Sequence, residues 1–574
     1  MPAEGNVKGR VDLVLLWHMH QPDYRDHATG EFQLPWVYLH ALKDYTDMAW
    51  HLERHPGMRV VVNFAPVLLD QLEDYADQFA SHRVRDRLLR LLGQSEATPL
   101  ADGDRAFILE RCFHANHERI IRPFPAYRML FDIFGEIGRH DDAARAYLSD
   151  RDFYDLLTWY HLGWTGESLR RESDLVARLV AKGTHFTHAD RSALFDLVGT
   201  AIGGVITRWR RLAEAGQVEL STTPEHHPLA PLLLDFAAAR EALPSCDLPP
   251  APYPGGRERV VAQITAALAS HARRFGREAA GAWPAEGGVS EALLPLLARR
   301  GVRWTASGGE VLRNSAVANG QAAGSAYRPW HIGGDTSLTC FFRDDFLSDR
   351  IGFEYAKWNG DDAARDLIAA VAGIGDAASE GETPIVSIIL DGENCWEYYP
   401  YNGHYFLEAL YGGLADHATI RPTTYEQWLD DRAHAAPGGE AIAAGTLERL
   451  VAGSWVGGNF ATWIGSPEKN HAWELLTAAK REFDAASGKL APDRLRSATR
   501  QLAACEASDW FWWLSSSNPA SAVAELERVF RMHLAHLYIL LGECPPVTLA
   551  RPIAQGGGAP ETGGTMRRAG ERAA

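Results

Sequence analysis

Short apolar runs, each closed by turn residues, recur along the first two thirds of the chain. Runs this short and continuous are typical of strands buried on both faces of a parallel sheet. Helical patterns, such as residues 260–275 and 291–300, separate many of them. This alternation predicts an α/β fold of right-handed βαβ units that form an incomplete barrel, with an open doubly wound sheet as the alternative. The seven predicted strands are residues 11–17, 59–64, 217–222, 279–283, 302–306, 337–342 and 385–390.

Outside this alternation the pattern is helical. Residues 65–216 show no clear strand and are predicted to form a helical insertion beside the barrel mouth, within a catalytic domain of residues 1–425. After residue 425 the pattern is helical throughout, which predicts a helical domain over 426–555 that packs on the barrel and completes its cleft. Residues 556–574 are Gly-rich and polar, a composition typical of a disordered tail.

Polar residues are concentrated where the predicted strands end. Histidine, glutamate, arginine or aspartate follows the C-terminal end of at least five of the seven runs, whereas mainly glycine and proline precede their starts. In a barrel of parallel strands, the C-terminal edge carries the active site. The distribution therefore predicts an enzyme with its site at that edge.

Glu286 and Asp391 are the strongest catalytic candidates. Glu286 follows the fourth predicted strand in GAWPAEGGVS, where glycines let a substrate approach the backbone. Asp391 follows six mostly apolar residues in IVSIILDGEN, and burial there raises the pKa of a carboxyl so that it can act as a general acid. One proton donor and one nucleophile or base are what glycoside hydrolysis needs. The alternatives are a solvated loop position for Glu286 and a helix N-cap for Asp391.

Histidines and an arginine follow three other predicted strands. His18 and His20 alternate in WHMHQP and share one face, where they can bind sugar hydroxyls, bind a metal, or fix the junction by hydrogen bonds. His227, in TPEHHP, leaves the same alternatives open. Arg343 can orient a catalytic carboxylate or form a structural ion pair.

Aromatic rings suited to stacking on sugars lie near the same positions. Trp283 precedes the first candidate acid and Trp396 follows the second. The segment EASDWFWW carries Asp509 and Trp512, and residues 453–465 are similarly rich in aromatic residues and glycine. We interpret both segments as walls of the cleft.

Charge and cysteine content narrow the class of partner. With 57 Lys and Arg against 74 Asp and Glu, the formal net charge is −17, which argues against nucleic acid and anionic membranes as partners. No apolar run reaches the length of a transmembrane helix. The N-terminal apolar run is also too short for a signal peptide, and the six cysteines are widely spaced without a CxxC pair, so a cytoplasmic location with reduced thiols is expected.

The segments HMHQP, GQVELSTTPEHHP, GAWPAEGGVS, LDGENCWEYY and EASDWFWW occur in this order and closely resemble the five sequence regions of glycoside hydrolase family 57. The resemblance spans nearly the whole chain and is closest to α-amylase and amylopullulanase-like members. It implies a (β/α)7 incomplete TIM-like barrel followed by a helical domain, acting on α-glucans with retention of configuration and without a cofactor or required metal. It also implies that Glu286 is the nucleophile and Asp391 the general acid/base. The expected substrate-binding residues are His18, His20, His227, Trp283, Arg343, Trp396, Asp509 and Trp512.

Several functions are compatible with these residues. The first is a glucan hydrolase, and the second is a 4-α-glucanotransferase or branching enzyme that uses the same two carboxylates. A metal-dependent carbohydrate deacetylase that uses His18, His20 and nearby acids is a more distant alternative, and a non-catalytic glucan-binding protein is disfavoured by the presence of Glu286 and Asp391. The sequence leaves open the preference for α-1,4 or α-1,6 bonds, the substrate chain length and the oligomeric state.

Overall fold

The computed structural model describes residues 9–137, 148–322, 324–434, 442–558 and 566–568. All seven predicted runs form strands, and three short strands were not predicted. The strands in chain order are β1 (Val11–Met19), β2 (Val60–Phe64), β3 (Val218–Thr222), β4 (Gly281–Ala282), β5 (Trp304–Ser307), β6 (Trp330–Ile332), β7 (Asp335–Phe342), β8 (Ile385–Asp391), β9 (Ile420–Pro422) and β10 (Gly445–Leu447).

The seven predicted strands lie in the order β7-β5-β4-β3-β2-β1-β8, and every neighbouring pair is parallel. The sheet curls until β7 and β8 approach each other, and the Asp344 amide, just after β7, donates to the Ser387 carbonyl of β8 at 2.8 Å. An incomplete seven-stranded barrel is therefore confirmed, and the open doubly wound alternative is wrong. The short strands extend the edges: β6 runs antiparallel to β7, β10 pairs with β6, and β9 pairs with the start of β1.

Helices surround this sheet. Those from α3 to α10 fill the connection between β2 and β3. The helices in chain order are α1 (Trp36–His40), α2 (Thr46–Arg54), α3 (Pro66–Ala80), α4 (Arg87–Gly93), α5 (Asp102–Arg111), α6 (Pro125–Ile137), α7 (Asp150–Gly163), α8 (Glu167–Glu172), α9 (Asp174–Lys182), α10 (His188–Glu214), α11 (Ala230–Leu234), α12 (Ala239–Ala242), α13 (Gly256–Phe275), α14 (Leu294–Ala298), α15 (Gly309–Ala318), α16 (Asp345–Phe353), α17 (Gly360–Asp376), α18 (His404–Ala415), α19 (Tyr425–His434), α20 (Pro467–Ser487), α21 (Pro492–Cys505), α22 (Ser508–Trp513) and α23 (Ala520–Leu541). Among the described residues, no helix has the length and apolar character needed to cross a membrane.

The region after residue 425 is not helical throughout, because β10 and an irregular segment, residues 448–466, precede α20. This segment joins the barrel through Gly453, whose backbone exchanges two hydrogen bonds with Val289. Residues 559–565 and 569–574 of the predicted disordered tail lie outside the described residues. The described part of the tail contacts the helical region: the Arg567 guanidinium lies 5.1 Å above the Trp512 ring.

Two apolar layers meet at the sheet, and β1 shows how the alternation of a strand divides them. Leu13, Leu15 and Trp17 pack in the layer shared with the helices, whereas Val14 and Leu16 belong to a separate buried cluster together with Trp304 and Phe341 of other strands. His18 lies two residues after Leu16 and therefore on the same face of β1 as Val14 and Leu16. It pairs in register with Asn63 of β2 and Asp391 of β8. The barrel therefore brings polar groups from three strands to one level at its C-terminal edge.

Candidate active site

Glu286 lies in the turn after β4, and its backbone adopts a left-handed conformation with φ 59° and ψ 22°. Such a conformation is uncommon for a residue with a side chain and is maintained only when surrounding contacts enforce it. Gly287 follows at φ 58°, and a Cβ atom at this position would lie 2.7 Å from the Trp283 ring. The turn directs the carboxyl inward, leaving the Glu286 side chain 12% exposed.

The carboxyl of Glu286 is held by residues from the C-terminal half of the chain. The Ser508 hydroxyl, at the start of α22, lies 3.0 Å from Oε1, and the Trp455 indole N–H donates to Oε2 at 3.3 Å. Asp391, the last residue of β8, accepts a hydrogen bond from the Asn394 amide at 2.8 Å. The irregular segment and α22 thus reach the catalytic candidates of the barrel, as the aromatic patterns around Trp455 and Asp509 indicated.

Three histidine rings stack beside these acids. His20 and His227 lie face to face, with centroids 3.8 Å apart and ring planes at 22°, and the His18 ring lies 4.9 Å from that of His227. Nε2 of His20 is 2.9 Å from a carboxylate oxygen of Asp509. The structure therefore brings together Glu286 and four of the five residues expected at the substrate site from the first, second and fifth motifs, namely His18, His20, His227 and Asp509.

The donor atoms of His20, His227 and Asp509 lie within 4.8 Å of one another, as a metal site requires. A metal, however, must sit about 2.0–2.1 Å from each imidazole nitrogen and close to the ring plane, along the lone pair. Two rings stacked face to face at 3.8 Å direct their lone pairs side by side rather than toward one point. Both nitrogens of His227 also have hydrogen-bond partners, in His18 and Ser508. The geometry favours a hydrogen-bonded cluster and disfavours the metal-dependent alternative.

A row of hydrogen bonds connects the sheet interior to Glu286. Its members and spacings are Ser221 Oγ to Asn63 Nδ2 at 3.0 Å, Asn63 Oδ1 to His18 Nδ1 at 2.7 Å, His18 Nε2 to His227 Nε2 at 3.0 Å, His227 Nδ1 to Ser508 Oγ at 2.9 Å, and Ser508 Oγ to Glu286 Oε1 at 3.0 Å. Burial lowers the pKa of His18 to about 3 and that of His227 well below its ordinary value. Both histidines are therefore neutral, and each has one donor and one acceptor nitrogen.

This row couples the charge of Glu286 to the tautomers of the histidines, because Ser508 has a single proton to donate. With the Asn63 oxygen facing it, His18 donates from Nδ1 and accepts at Nε2, so His227 donates from Nε2 and accepts from Ser508. The Ser508 oxygen then accepts from a protonated Glu286. For Ser508 to donate to an ionised Glu286, the row must reverse, which requires the Asn63 amide to rotate or His18 to take up a proton.

The electrostatics of the acids agree with a proton held in this site. Burial, followed by the nearby charges of Asp509 and Asp391, raises the pKa of Glu286 to about 8. Burial also raises the pKa of Asp391 to about 6, against the lowering effects of the Asn394 hydrogen bond and of the His20 and Arg343 charges. A group of three neighbouring carboxyls retains a proton near neutral pH under these conditions, and proton donation to a substrate requires one.

Burying this carboxyl has a stability cost that depends on pH. With a pKa of about 8 in the fold and 4.5 otherwise, Glu286 is protonated in both states below pH 4.5. Between pH 4.5 and about pH 8, Glu286 ionises in the unfolded chain but stays protonated in the folded protein. Ionisation stabilises only the unfolded chain there, so the free energy of unfolding falls as the pH rises. We expect Glu286→Gln to be more stable than the parent by about 3 kcal/mol at pH 7 and by little at pH 4. Denaturation at both pH values measures this difference.

Glu278→Gln is the matched control for this prediction, because Glu278 precedes the same strand at the opposite edge and is exposed. It should give the same small change at both pH values. An equal effect of Glu286→Gln at pH 4 and pH 7 would show that the folded protein does not hold this carboxyl neutral.

The structure places the other expected substrate residues differently. Trp396 is 1% exposed and packs its ring on Trp17 and Tyr399, so its expected position at a sugar-binding rim is corrected to the core. Trp283 is also fully buried and supports the Trp455 ring at 5.3 Å, while Trp512 retains 8% exposure.

Arg343 does not hold a catalytic carboxylate directly. Its guanidinium donates to Asp345 and Asp349, each at 2.9 Å, and to the Ile389 carbonyl at 2.8 Å. The bond to Ile389 ties the end of β7 to β8, and the other two hold α16 beside it. Arg343 therefore acts on Asp391 through its positive charge, which lowers the pKa of that carboxyl.

Sequence reasoning missed Asn63, Ser508 and Glu393. Asn63 is the only polar residue among the five of β2, and a polar residue near the end of a buried strand could have marked it as a site residue. Ser508 precedes Asp509 and is recognisable only once α22 is seen against the barrel. Glu393 is buried beneath the first loop, where it accepts from the His20 amide at 3.0 Å and the Tyr45 hydroxyl at 3.1 Å, and so positions the histidine strand end.

Comparison with known proteins gives one family. The model of glycosyl hydrolase family 57 matches residues 14–437. The chain is similar in fold to a branching enzyme from Thermococcus kodakaraensis, solved in complex with glucose and additives, at 16% identity, with a TM-score of 0.58 and coverage of 95% of this chain and 94% of that one. It is also similar to an α-amylase from Thermotoga maritima, at 14% identity, TM-score 0.54 and 93% coverage of both chains. A 4-α-glucanotransferase from Thermococcus litoralis matches at 14% identity, TM-score 0.50, and 92% of this chain against 60% of that one.

Proposed function

This chain belongs to glycosyl hydrolase family 57, and we propose that it is a retaining enzyme that cleaves α-1,4 bonds of α-glucans by a two-carboxylate double displacement. The observation that carries the proposal is the convergence of Glu286 and Asp391 on the histidine cluster at the C-terminal edge of the barrel: His227 lies 4.0 Å from Glu286, and His18 pairs in register with Asp391. Glucan chemistry is also consistent with the solved structures of similar fold, which include a branching enzyme, an α-amylase and a 4-α-glucanotransferase.

In the first step, a carboxylate oxygen of Glu286 bonds to the anomeric carbon while the glycosidic oxygen leaves with a proton from Asp391. In the second step, the ionised Asp391 takes a proton from water, whose oxygen displaces Glu286 and releases a sugar of the original configuration. Retention by this route requires carboxyl groups roughly 5–5.5 Å apart, whereas inversion requires about 6.5–9.5 Å. We propose that His20 and Asp509 bind the sugar hydroxyls, because their side chains are 10% and 13% exposed beside the two acids.

In the free site, the order of the two pKa values is the reverse of what the proposed roles of Glu286 and Asp391 require. Glu286 holds its proton to a higher pH than Asp391 does, whereas the first step needs an ionised Glu286 and a protonated Asp391. Positive charge that develops at the anomeric carbon favours the ionised form of the adjacent Glu286. Substrate binding must therefore transfer the proton, and reversal of the Ser508–His227–His18 row stabilises the ionised Glu286.

We expect Ser508→Ala to move the basic limb of the kcat/KM profile upward by about one pH unit. Glu286 has the higher pKa in the free site and so sets that limb, and its ionised carboxylate loses a charge-assisted hydrogen bond. Ser508→Thr keeps the hydroxyl and is the control, with the limb expected at the parental pH. Profiles on a maltooligosaccharide measure both variants. An unmoved limb in Ser508→Ala, or the same shift in Ser508→Thr, would contradict a role of this hydroxyl in the charge of Glu286.

The test of the proposed function is a product profile on maltooligosaccharides, pullulan and glycogen. An α-glucan hydrolase raises the number of reducing ends, and NMR of the first products shows the α anomer. Initial β products would show inversion and contradict the double displacement. The absence of turnover on all three substrates would contradict glucan cleavage itself.

A second candidate function, transfer to a sugar hydroxyl, is favoured by the enclosure of the site. The side chains of Glu286 and Asp509 are only 12% and 13% exposed, and the indole of Trp455 lies on the carboxyl of the former. Limited access for water slows hydrolysis of the glycosyl-enzyme intermediate and so favours its attack by a hydroxyl of an incoming sugar. Redistribution of chain lengths without new reducing ends would assign transfer, and new α-1,6 branch points would assign branching.

A further inference from the structure

A cavity of about 480 Å³ lies between the helical insertion and the loop that follows β8. Its lining includes neither Glu286 nor Asp391, and its size is that of a site for a small ligand. The helical insertion contributes apolar residues to the lining, among them Ile120, Phe124 and Val180. The loop adds aromatic residues and one carboxylate, and most of the charged lining residues come from the insertion itself, so apolar and charged groups line the same cavity.

Glu397, which the loop contributes to the lining, has a carboxylate that accepts no hydrogen bond from the described residues. Burial raises the pKa of this carboxyl, against the nearby charge of Lys43. The Lys43 ammonium is already engaged, since it donates to Asp44 at 2.6 Å and to Asn402 at 2.9 Å. Glu167 in the same cavity differs, because its two oxygens accept from Arg170 and Arg171. Glu397 is therefore an acceptor left available to a ligand.

The rim of the cavity presents an aromatic ring on a constrained turn. Tyr401 is 58% exposed, and both it and Asn402 adopt left-handed backbones, at φ 53° and 52°. The Asn402 side chain fixes this turn by accepting from Lys43 and donating to Asp47 at 3.0 Å. The exposed ring of Tyr401 is thus held at the edge of the cavity by buried polar contacts.

The charges of the lining select the class of ligand. Three cationic and three anionic side chains line the cavity: Lys43, Arg119, Arg170, Glu118, Glu167 and Glu397. This balance favours a neutral ligand over an anion or a cation. A pyranose is neutral and has apolar C–H faces that stack on aromatic rings, with hydroxyl edges that donate to carboxylates. The apolar, aromatic and charged groups of the lining match such a molecule.

We propose that this cavity is a second α-glucan-binding site, separate from the catalytic cleft, in which a glucosyl unit packs on Phe124 and Tyr401 and donates hydroxyl protons to Glu397. The identification of the sugar as a glucan rests on the proposed function. A site at this position holds one part of a long glucan while another part occupies the catalytic edge. It therefore increases kcat/KM on glycogen more than kcat/KM on short oligosaccharides.

Calorimetric titration of the inactive Glu286→Gln protein with maltoheptaose tests this site. Ala177 is an exposed cavity-lining residue of α9, and Ala177→Trp fills the cavity without removing a native contact. Ala181→Trp is the matched control, an exposed position on the same helix outside the lining. We expect two binding events in the parent and in Ala181→Trp, and one in Ala177→Trp and in Glu397→Ala.

In the active enzyme, Ala177→Trp should lower kcat/KM on glycogen by about fivefold or more and leave that on maltotriose unchanged. A single binding event in the Glu286→Gln parent, or two events in Ala177→Trp, would overturn the second site while leaving the proposed function intact. The absence of any maltoheptaose binding by the Glu286→Gln protein, together with no turnover by the active enzyme, would overturn both.

Discussion

In the Glu286→Ala variant, turnover of maltooligosaccharides falls by about 10⁴-fold or more, because no side chain remains to bond to the anomeric carbon. Azide fits the space that the carboxyl leaves and restores turnover of an α-glucosyl fluoride, whose leaving group needs no proton. The expected product is the β-glucosyl azide, since azide attacks from the face that Glu286 occupied. Kinetics with and without azide, with NMR of the product, measure both effects.

Glu278→Ala provides the control for this variant, since its exposed carboxyl lies at the opposite edge of the sheet and its loss should leave turnover at the parental rate. An α-glucosyl azide from Glu286→Ala would mean that the covalent intermediate still forms. The roles of Glu286 and Asp391 would then be exchanged, in agreement with the proton order of the free site and against the resemblance of their motifs.

Asp391→Asn should lower kcat/KM on maltooligosaccharides by about 10²–10⁴-fold, the contribution typical of a general acid. The loss on α-glucosyl fluoride should be much smaller in the first step, because fluoride leaves without protonation. The ratio of the single-turnover rate on α-glucosyl fluoride to that on the maltooligosaccharide should therefore rise by at least about 10-fold from parent to variant. Single-turnover rates on both substrates give this ratio.

Asn394→Ala is the matched comparison, because it removes only the hydrogen bond to Asp391 and leaves the acid in place. That bond lowers the pKa of Asp391, which has the lower pKa of the two acids and so sets the acidic limb of the pH profile. Its loss should move that limb upward and retain most of the activity. Equal losses on glucan and fluoride in Asp391→Asn would show that this carboxyl does not donate the proton.

The pattern of apolar runs was sufficient to predict the seven strands of the barrel, because a strand buried on both faces needs a continuous apolar stretch whatever its neighbours are. It did not predict β6, β9 and β10, each three residues long, which exist through pairing at the sheet edges and not through their own composition. The helical reading of residues 448–466 failed for the same reason, since contacts with the barrel determine that segment.

The sequence by itself determined which acids stand at strand ends and placed the histidines on the same edge, since both follow from strand alternation and the common direction of parallel strands. It could not separate a rim tryptophan from a core tryptophan, and Trp396 proved to be core, because its burial depends on rings far away in the chain, such as Trp17. Only the tertiary structure brought Ser508 and Trp455 onto Glu286, across 222 and 169 positions of the chain. Hydrogen bonds over such separations leave no periodicity in the sequence, and at Glu286 they act against the burial that raises the pKa of its carboxyl.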